Sequence, residues 1–351
     1  MRWYAVALCG AALLSGITSA KAAECSNPDA LGTSRVIAVD PLDHARLGTM
    51  QYSETLPLAD KEVVLTFDDG PLPPYTDRIL RTLASECVKA TFFIVGNMAR
   101  AYPDLVRRIH AEGHTIGTHS QNHPMIFDRM PIEKVQAEVE SGIASTTAAL
   151  GNPHAVAPFF RIPGLARSHA VEALLHERGL MIWSADFPAD DWKHIQASEI
   201  LNRALRRIEA KGRGILLLHD IQPATAAALP ELLRELKARG YRIVHVVPAS
   251  PEQPKTATAP QDWTFVPVKH SQKAALSRVV SAAAKPRRLM SRHEPAFEPR
   301  PTRLDDPLDS TQSIDMLHVG HTLTIYSIRP QRRARLHLSR PAVTQPLVLS
   351  N

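Results

Sequence analysis

From Val63 to about Val247 the chain alternates short apolar runs rich in β-branched residues with segments of helical period. Nothing else in the sequence limits the fold as much. An apolar run of about four to eight residues set between helices reads as a strand buried on both faces, and strands joined through helices run parallel. The strand candidates are Val63–Phe67, Ala90–Val95, Thr115–Thr118, Pro158–Arg161, Leu180–Ser184, Ile215–Leu218 and Tyr241–Val247. Between them, Ile132, Val135, Val139, Ile143 and Leu150 mark one helical face, and Leu229, Leu232, Leu233 and Leu236 mark another that Gly240 stops. The expectation is an α/β fold, a distorted seven-stranded (β/α) barrel.

Both flanks lack this alternation. Arg2, a short apolar run from Val6 to Leu14 and small residues up to Ala22 read as a cleavable export signal, too short in its apolar part to cross a bilayer. The mature protein is therefore expected to be secreted or periplasmic, without a membrane span. Beyond Pro248 the periodicity gives way to Pro, Ala, Ser and Arg, as at 251–255, 285–288 and 298–303, which reads as a linker and disordered tail. Leu317–Ile328 is the exception and reads as a strand pair. The expected division is a signal peptide at 1–22, an N-terminal extension at 23–60, a catalytic domain at 61–248 and a Pro/Ala/Arg-rich tail at 249–351.

The formal charge of +6 suggests an anionic partner until it is located. Residues 252–351 hold 15 Lys and Arg against 8 Asp and Glu, leaving 26 against 27 in the rest of the chain. The body is near neutral and the basic excess sits in the tail. Without interleaved aromatics, and with an export signal, nucleic acid is not the expected partner; anionic envelope material is. Once the signal is removed, Cys25 and Cys87 remain, and they read either as one disulfide or as two separate thiols.

Spacing alone says little about chemistry. His119 and His123 are four apart, but so are His110 and His114, and 16 histidines in 351 positions give roughly one such pair by chance. Asp68-Asp69, Asp190-Asp191 and Asp305-Asp306 are all adjacent pairs. Position adds what spacing lacks. Asp68-Asp69-Gly70 ends one apolar strand, His119 follows another, Arg161 ends a third and His219 a fourth. In parallel barrels these carboxyl ends gather on one face and carry the catalytic groups. A buried strand gains nothing by ending in two carboxylates unless they are paired or bind a cation.

The segments Thr66–Gly70 (TFDDG), His119–His123 (HSQNH), Arg161–Gly164 (RIPG), Asp190–Trp192 (DDW) and Leu217–His219 (LLH) resemble, in order and spacing, the five motifs of the polysaccharide deacetylases, the carbohydrate esterase family 4 domain. The resemblance covers about residues 60–248. It implies a metal-dependent hydrolase that removes N-acetyl groups from an acetylated polysaccharide: chitin-like, peptidoglycan or exopolysaccharide. Asp69, His119 and His123 would hold Zn2+ or another divalent ion such as Co2+, the ligand set of a hydrolytic site. Asp68 would be the general base, paired with Arg161, and a backbone N–H at Gly164 would face the oxyanion. His219 would protonate the leaving amine with its pKa raised by Asp191, and Leu217 and Trp192 would line the acetyl-methyl pocket.

Two motifs depart from the pattern. The third lacks the second proline and the aromatic that usually follow the arginine, having Ile162, Pro163, Gly164 and Leu165 instead. The fourth is usually D-x-x-D-W, whereas here Asp186 precedes Asp191 by five positions, which makes Asp186 a rival partner for His219. Other functions consistent with the same residues are O-acetyl ester hydrolysis on xylan, a catalytically silent carbohydrate-binding protein on the same barrel, and an anionic-polymer binder acting through the tail.

Overall fold

The computed structural model describes residues 25 and 27–265. The export signal at 1–22, the strand pair at 317–328 and the tail beyond Phe265 lie outside the described residues.

Ten strands are linked by parallel ladders: β1 (Thr33–Val39), β2 (Arg46–Leu47), β3 (Glu62–Asp68), β4 (Thr91–Ile94), β5 (Thr115–Thr118), β6 (Phe159–Phe160), β7 (Met181–Trp183), β8 (Phe187–Pro188), β9 (Gly214–His219) and β10 (Arg242–Pro248). Seven helices intervene: α1 (Tyr75–Ser85), α2 (Gly96–Ala101), α3 (Pro103–Ala111), α4 (Ile132–Leu150), α5 (His169–Glu177), α6 (Ala197–Lys211) and α7 (Pro223–Ala238). All seven strands expected from the apolar runs are present. So are the two helical faces, as α4 and α7.

β3 is the hub, with every residue buried. Along one edge, Val63–Asp68 pairs with Gly214–His219 of β9. The other edge is shared: β10 pairs with Glu62 and Val63, and β4 with Thr66–Asp68. The order continues β4-β5-β6-β7, while β8 pairs with β9 on the far side. β7 and β8 share no ladder, so the sheet curls without closing. The expected distorted seven-stranded barrel is present as a ring open between β7 and β8, and its seventh strand is β8 rather than β10, which leaves the ring to pair with β1.

Alternation along β3 separates two cores. Val63, Leu65 and Phe67 point outward into a layer shared with α1, α3, α6 and α7. Val64 points inward to Phe93, Phe159, Trp183, Ile215 and Leu217. Thr66 and Asp68 follow Val64 on the inner face, which puts Asp68 at the top of the interior. A third cluster packs α4 and α5 on β6 and β7 through Phe127, Val135, Val139, Phe160 and Leu175.

The flanking segments are part of this body. Ile37, Val39, Leu47, Leu56 and Leu58 belong to the inner core, as does Trp263, which is 4% exposed and stacks on His44 with ring centroids 3.4 Å apart. Residues 249–265, read from composition as the start of the tail, therefore run back along the N-terminal segment. Thr256 Oγ1 accepts from Ala38 N at 2.9 Å, and Thr55 N donates to Trp263 O at 2.8 Å. Cys25 and Cys87 form a disulfide, with Cα atoms 5.8 Å apart, that ties the start of the described chain to the turn after α1.

Candidate active site

The parallel pairing of β3 with β9 places Asp68 opposite His219. Asp69 follows Asp68 at φ 76°, a backbone conformation seldom adopted by a residue with a β-carbon, and this turns its carboxylate away from the strand. His119 leaves β5, Arg161 leaves β6, and Asp191 opens a single turn, Asp191–Lys193, after β8. All these groups sit beyond the carboxyl ends of parallel strands.

Asp69 Oδ1 lies 3.4 Å from His119 Nε2 and 3.3 Å from His123 Nε2. One ligand atom from each of the three residues falls within 4.8 Å of the others. Asp69 Oδ1 is buried and has no hydrogen-bond partner, a cost that a cation would remove. His119 Nδ1 donates to the Arg161 carbonyl oxygen at 2.6 Å, which turns Nε2 toward Asp69. Burial, with His119 adding to it, lowers the His123 pKa and keeps that ring neutral. Burial opposes ionisation of Asp69, but His119, then His219 and His123, hold its carboxyl well below the usual range. A carboxylate and two imidazoles that each present Nε2 are the donor set a divalent ion requires, and these residues fit one.

Asp68 and Arg161 form a buried pair beside this cluster. Arg161 Nη1 donates to Asp68 Oδ1 at 2.6 Å and to Thr66 Oγ1 at 2.8 Å, Nη2 donates to Ser184 O at 2.8 Å, and the guanidinium stacks 4.2 Å from the Phe93 ring centroid. With its donors occupied, the arginine fixes Asp68 in one orientation. The other carboxylate oxygen, Oδ2, is left 3.9 Å from His119 Nε2.

On the far side of Asp69, at 4.0 Å from its Oδ2, stands His219 Nε2. His219 Nδ1 is 2.8 Å from Asp191 Oδ1, and Asp191 Oδ2 accepts from His219 N at 2.7 Å and from the Thr225 hydroxyl at 2.6 Å. Burial works against a charged imidazole here, but Asp191, helped by Asp69 and Asp68, outweighs it and pushes the pKa up to about 10. Asp186, the rival partner, is elsewhere. It accepts from Thr49, the Thr55 hydroxyl and Ile215 N, four strand residues or roughly 13 Å before His219. Asp190 points away from the site and binds Arg203 and Arg207, each at 2.8 Å.

Leu217 sits two residues before His219 and is buried in the inner core, whereas Trp192 is 41% exposed with its ring edge-on to His219 at 5.6 Å. Gly164 lies in the turn Pro163–Leu165 at φ 59°. Its N–H donates to no protein acceptor among the described residues.

Three supporting residues escaped the sequence reading. Glu138 of α4 accepts from Gln121 N at 3.1 Å, Asn122 N at 2.8 Å and Asn122 Nδ2 at 2.6 Å, bracing the loop between His119 and His123. Ser120 and His123 both have positive φ in that loop, at 63° and 55°. Gly142 lets α4 approach it: a β-carbon there would come within 2.7 Å of the Ser120 carbonyl carbon. Asp220, fully buried, accepts from Gly70 N at 3.0 Å and the Thr76 hydroxyl at 2.6 Å, which joins the end of β9 to the turn that carries Asp69. Burial, reinforced by Asp69, pushes its pKa up to about 7.

Residues 56–183 match the family model described as polysaccharide deacetylase. A peptidoglycan-N-acetylglucosamine deacetylase of Bacillus cereus is 34% identical over 196 residues, 54% of this chain and 89% of that protein. The peptidoglycan-N-acetylglucosamine deacetylase PgdA of Listeria monocytogenes is 36% identical over 191 residues, 53% of this chain but only 38% of its own length. Among solved structures, the Bdellovibrio bacteriovorus peptidoglycan deacetylase Bd3279 superposes with a TM-score of 0.56 at 35% identity, covering 62% of this chain and 60% of that one. The matched region holds the strand ends that carry Asp68, Asp69, His119, His123 and Arg161, and with a relative covered over 89% of its length, the chain belongs to the polysaccharide deacetylase family.

Proposed function

We propose that this chain is a metal-dependent hydrolase that removes N-acetyl groups from an amino-sugar polysaccharide of the bacterial envelope, with peptidoglycan first among its substrates. The observation that carries the reading is the buried, unpartnered oxygen of Asp69 facing two imidazole nitrogens, flanked by a fixed carboxylate and a protonated histidine. The names of the Bacillus and Listeria relatives support peptidoglycan.

Asp69, His119 and His123 hold the ion, Zn2+ or another divalent metal such as Co2+. When bound, it supplies Lewis acidity to the acetyl carbonyl and to the attacking water. Asp68, oriented by Arg161, takes the water proton at Oδ2. The Gly164 N–H donates to the oxyanion as the carbonyl carbon becomes tetrahedral. His219 gives its Nε2 proton to the departing nitrogen while Asp191 stabilises the imidazolium. Leu217 and Trp192 enclose the acetyl methyl group.

A histidine held charged up to about pH 10 favours the amide over the ester, because an amine needs a proton to leave and an ester alkoxide needs it less. This sets N-deacetylation above the O-acetyl esterase reading. The presence of Asp68, His219 and the Asp69–His119–His123 cluster together supports catalysis over silent binding. The Cys25–Cys87 disulfide and the signal-like start support a secreted or periplasmic location. Among the described residues no helix is long and apolar enough to cross a membrane. We take 61–248 as the segment that carries the catalytic groups, with the basic tail as a contact for anionic envelope material.

The test is acetate release from peptidoglycan, chito-oligosaccharide and acetylated xylan, with and without a chelator. Release from the N-acetylated polymers that stops on chelation and returns with Zn2+ is expected. Full activity in metal-free protein overturns the mechanism.

A further inference from the structure

Met125 and Gly164 meet at the edge of the site from two different loops. A β-carbon at Gly164 would lie 2.9 Å from Met125 Cε and 3.5 Å from its Sδ. The thioether therefore occupies the space that a side chain at position 164 would fill. Met125 is 59% exposed, the adjacent Ile126 is 48% exposed, and only Pro124 separates them from His123 in the chain. Exposed large apolar side chains are uncommon among the described residues, and Trp192, beside His219, is another of them. Each half of the hydrolytic centre thus carries an apolar group facing solvent. An apolar group left exposed beside a reactive centre points to a ligand surface.

We propose that Met125 is a specificity-determining residue that supplies the substrate-facing wall over Gly164, packing its terminal methyl and sulfur against the C–H face of the acetylated sugar ring. The inference rests on the deacetylase reading and adds what contacts the sugar. A pyranose offers an uncharged ring face of C–H groups, which an apolar side chain fits and a charged one does not. Because the wall comes from the loop of His123, the Gly164 N–H stays open to the carbonyl oxygen below it. Methionine also has three rotatable bonds, so the wall adapts to ring substituents that a rigid side chain at 164 would exclude.

The test uses the full chain loaded with Zn2+ and an N-acetylglucosamine tetramer, comparing wild type with Met125→Leu, Met125→Gln and Met125→Ala. Steady-state acetate release gives KM and kcat, calorimetry gives Kd, and atomic absorption gives zinc content. Met125→Ala is expected to raise KM and Kd roughly tenfold, the loss of one or two buried methylene equivalents, with a smaller change in kcat. Met125→Gln, of similar length but polar, should behave like Met125→Ala, and Met125→Leu like wild type. Unchanged KM and Kd in Met125→Ala, with zinc and acetate release retained, overturns the wall and leaves the deacetylase reading standing. A wild-type protein that binds the tetramer in a Met125-dependent way but releases no acetate supports the wall and overturns the activity. Absence of binding by wild type overturns both.

Discussion

The Asp191 carboxylate holds His219 twice, through the ring nitrogen Nδ1 at 2.8 Å and through the backbone N–H at 2.7 Å. One side chain therefore fixes the position, the tautomer and the charge of the imidazole. Below the unfolded value of 6.5 the ring is charged in both folded and unfolded protein, and this contact contributes fully to stability; the contribution is lost as pH rises through about 10. Activity that needs the protonated ring falls over the same upper range. Asp191→Asn removes the charge that sets it, so the alkaline limb of the rate profile should move to lower pH. A pH–rate series on both proteins checks this, and an unmoved limb would remove Asp191 from its role.

Asp68→Asn keeps the shape of the side chain and takes away the proton acceptor. Turnover should fall on the order of 10²–10⁴-fold with bound metal retained. Arg161 is fully buried and would lose its counter-charge, so the variant should also melt lower, with up to about 3–5 kcal/mol lost. Acetate release, metal content and a melting curve separate the chemical loss from the structural one.

Glu138 touches none of the proposed ligands, yet it holds the backbone on which His119 and His123 are presented. Glu138→Ala should weaken Zn2+ affinity about 10–100-fold, the usual scale for groups that orient ligands. Glu138→Gln, which keeps one oxygen to accept from both backbone N–H groups and gives up the acceptor for Asn122 Nδ2, should lose less. Competition with a chromophoric chelator reads both, and equal affinity in all three proteins would leave Glu138 a purely surface role.

Trp263 is the last buried side chain along the chain among the described residues. Trp263→Ala should cost about 3–5 kcal/mol, the range for removing a buried aromatic, and truncation after Pro251 should cost at least as much. Thermal melts of the two variants against wild type decide it. A truncated protein as stable as wild type would mean that Trp263 contributes nothing.

The strands from β3 to β7, together with β9 and β10, were legible because each is an apolar run flanked by a helical period. β2 and β8 were not, since two residues have no period, and β1 lay outside the alternating region. Trp263 was missed because the few apolar residues around it, Phe265 and Val266 among them, recur at no regular period. The reacting groups could be read because they occupy strand ends. Glu138 and Asp220 could not: one stands mid-helix and the other beside a histidine, and only the fold shows what their carboxylates accept. The Asp186 ambiguity had the same origin, because sequence distance from Asp191 says nothing about which end of β9 each carboxylate meets.

The open seam between β7 and β8 also bears on how this scaffold tolerates change. The turn carrying Asp191 and Trp192 starts from a strand of two residues that shares no ladder with β7, and the seam is lined instead by residues 45–50, with Met50 N donating to Ala185 O at 2.9 Å. Residues can be added after Ala189 and before Asp191 without shifting the register of β8 on β9 or of any other strand pair. The unusually long spacing of the fourth motif, from Asp186 to Asp191, ends in this turn, and insertions made there by selection or by design would alter the rim beside His219 while leaving the ligand-bearing strands undisturbed.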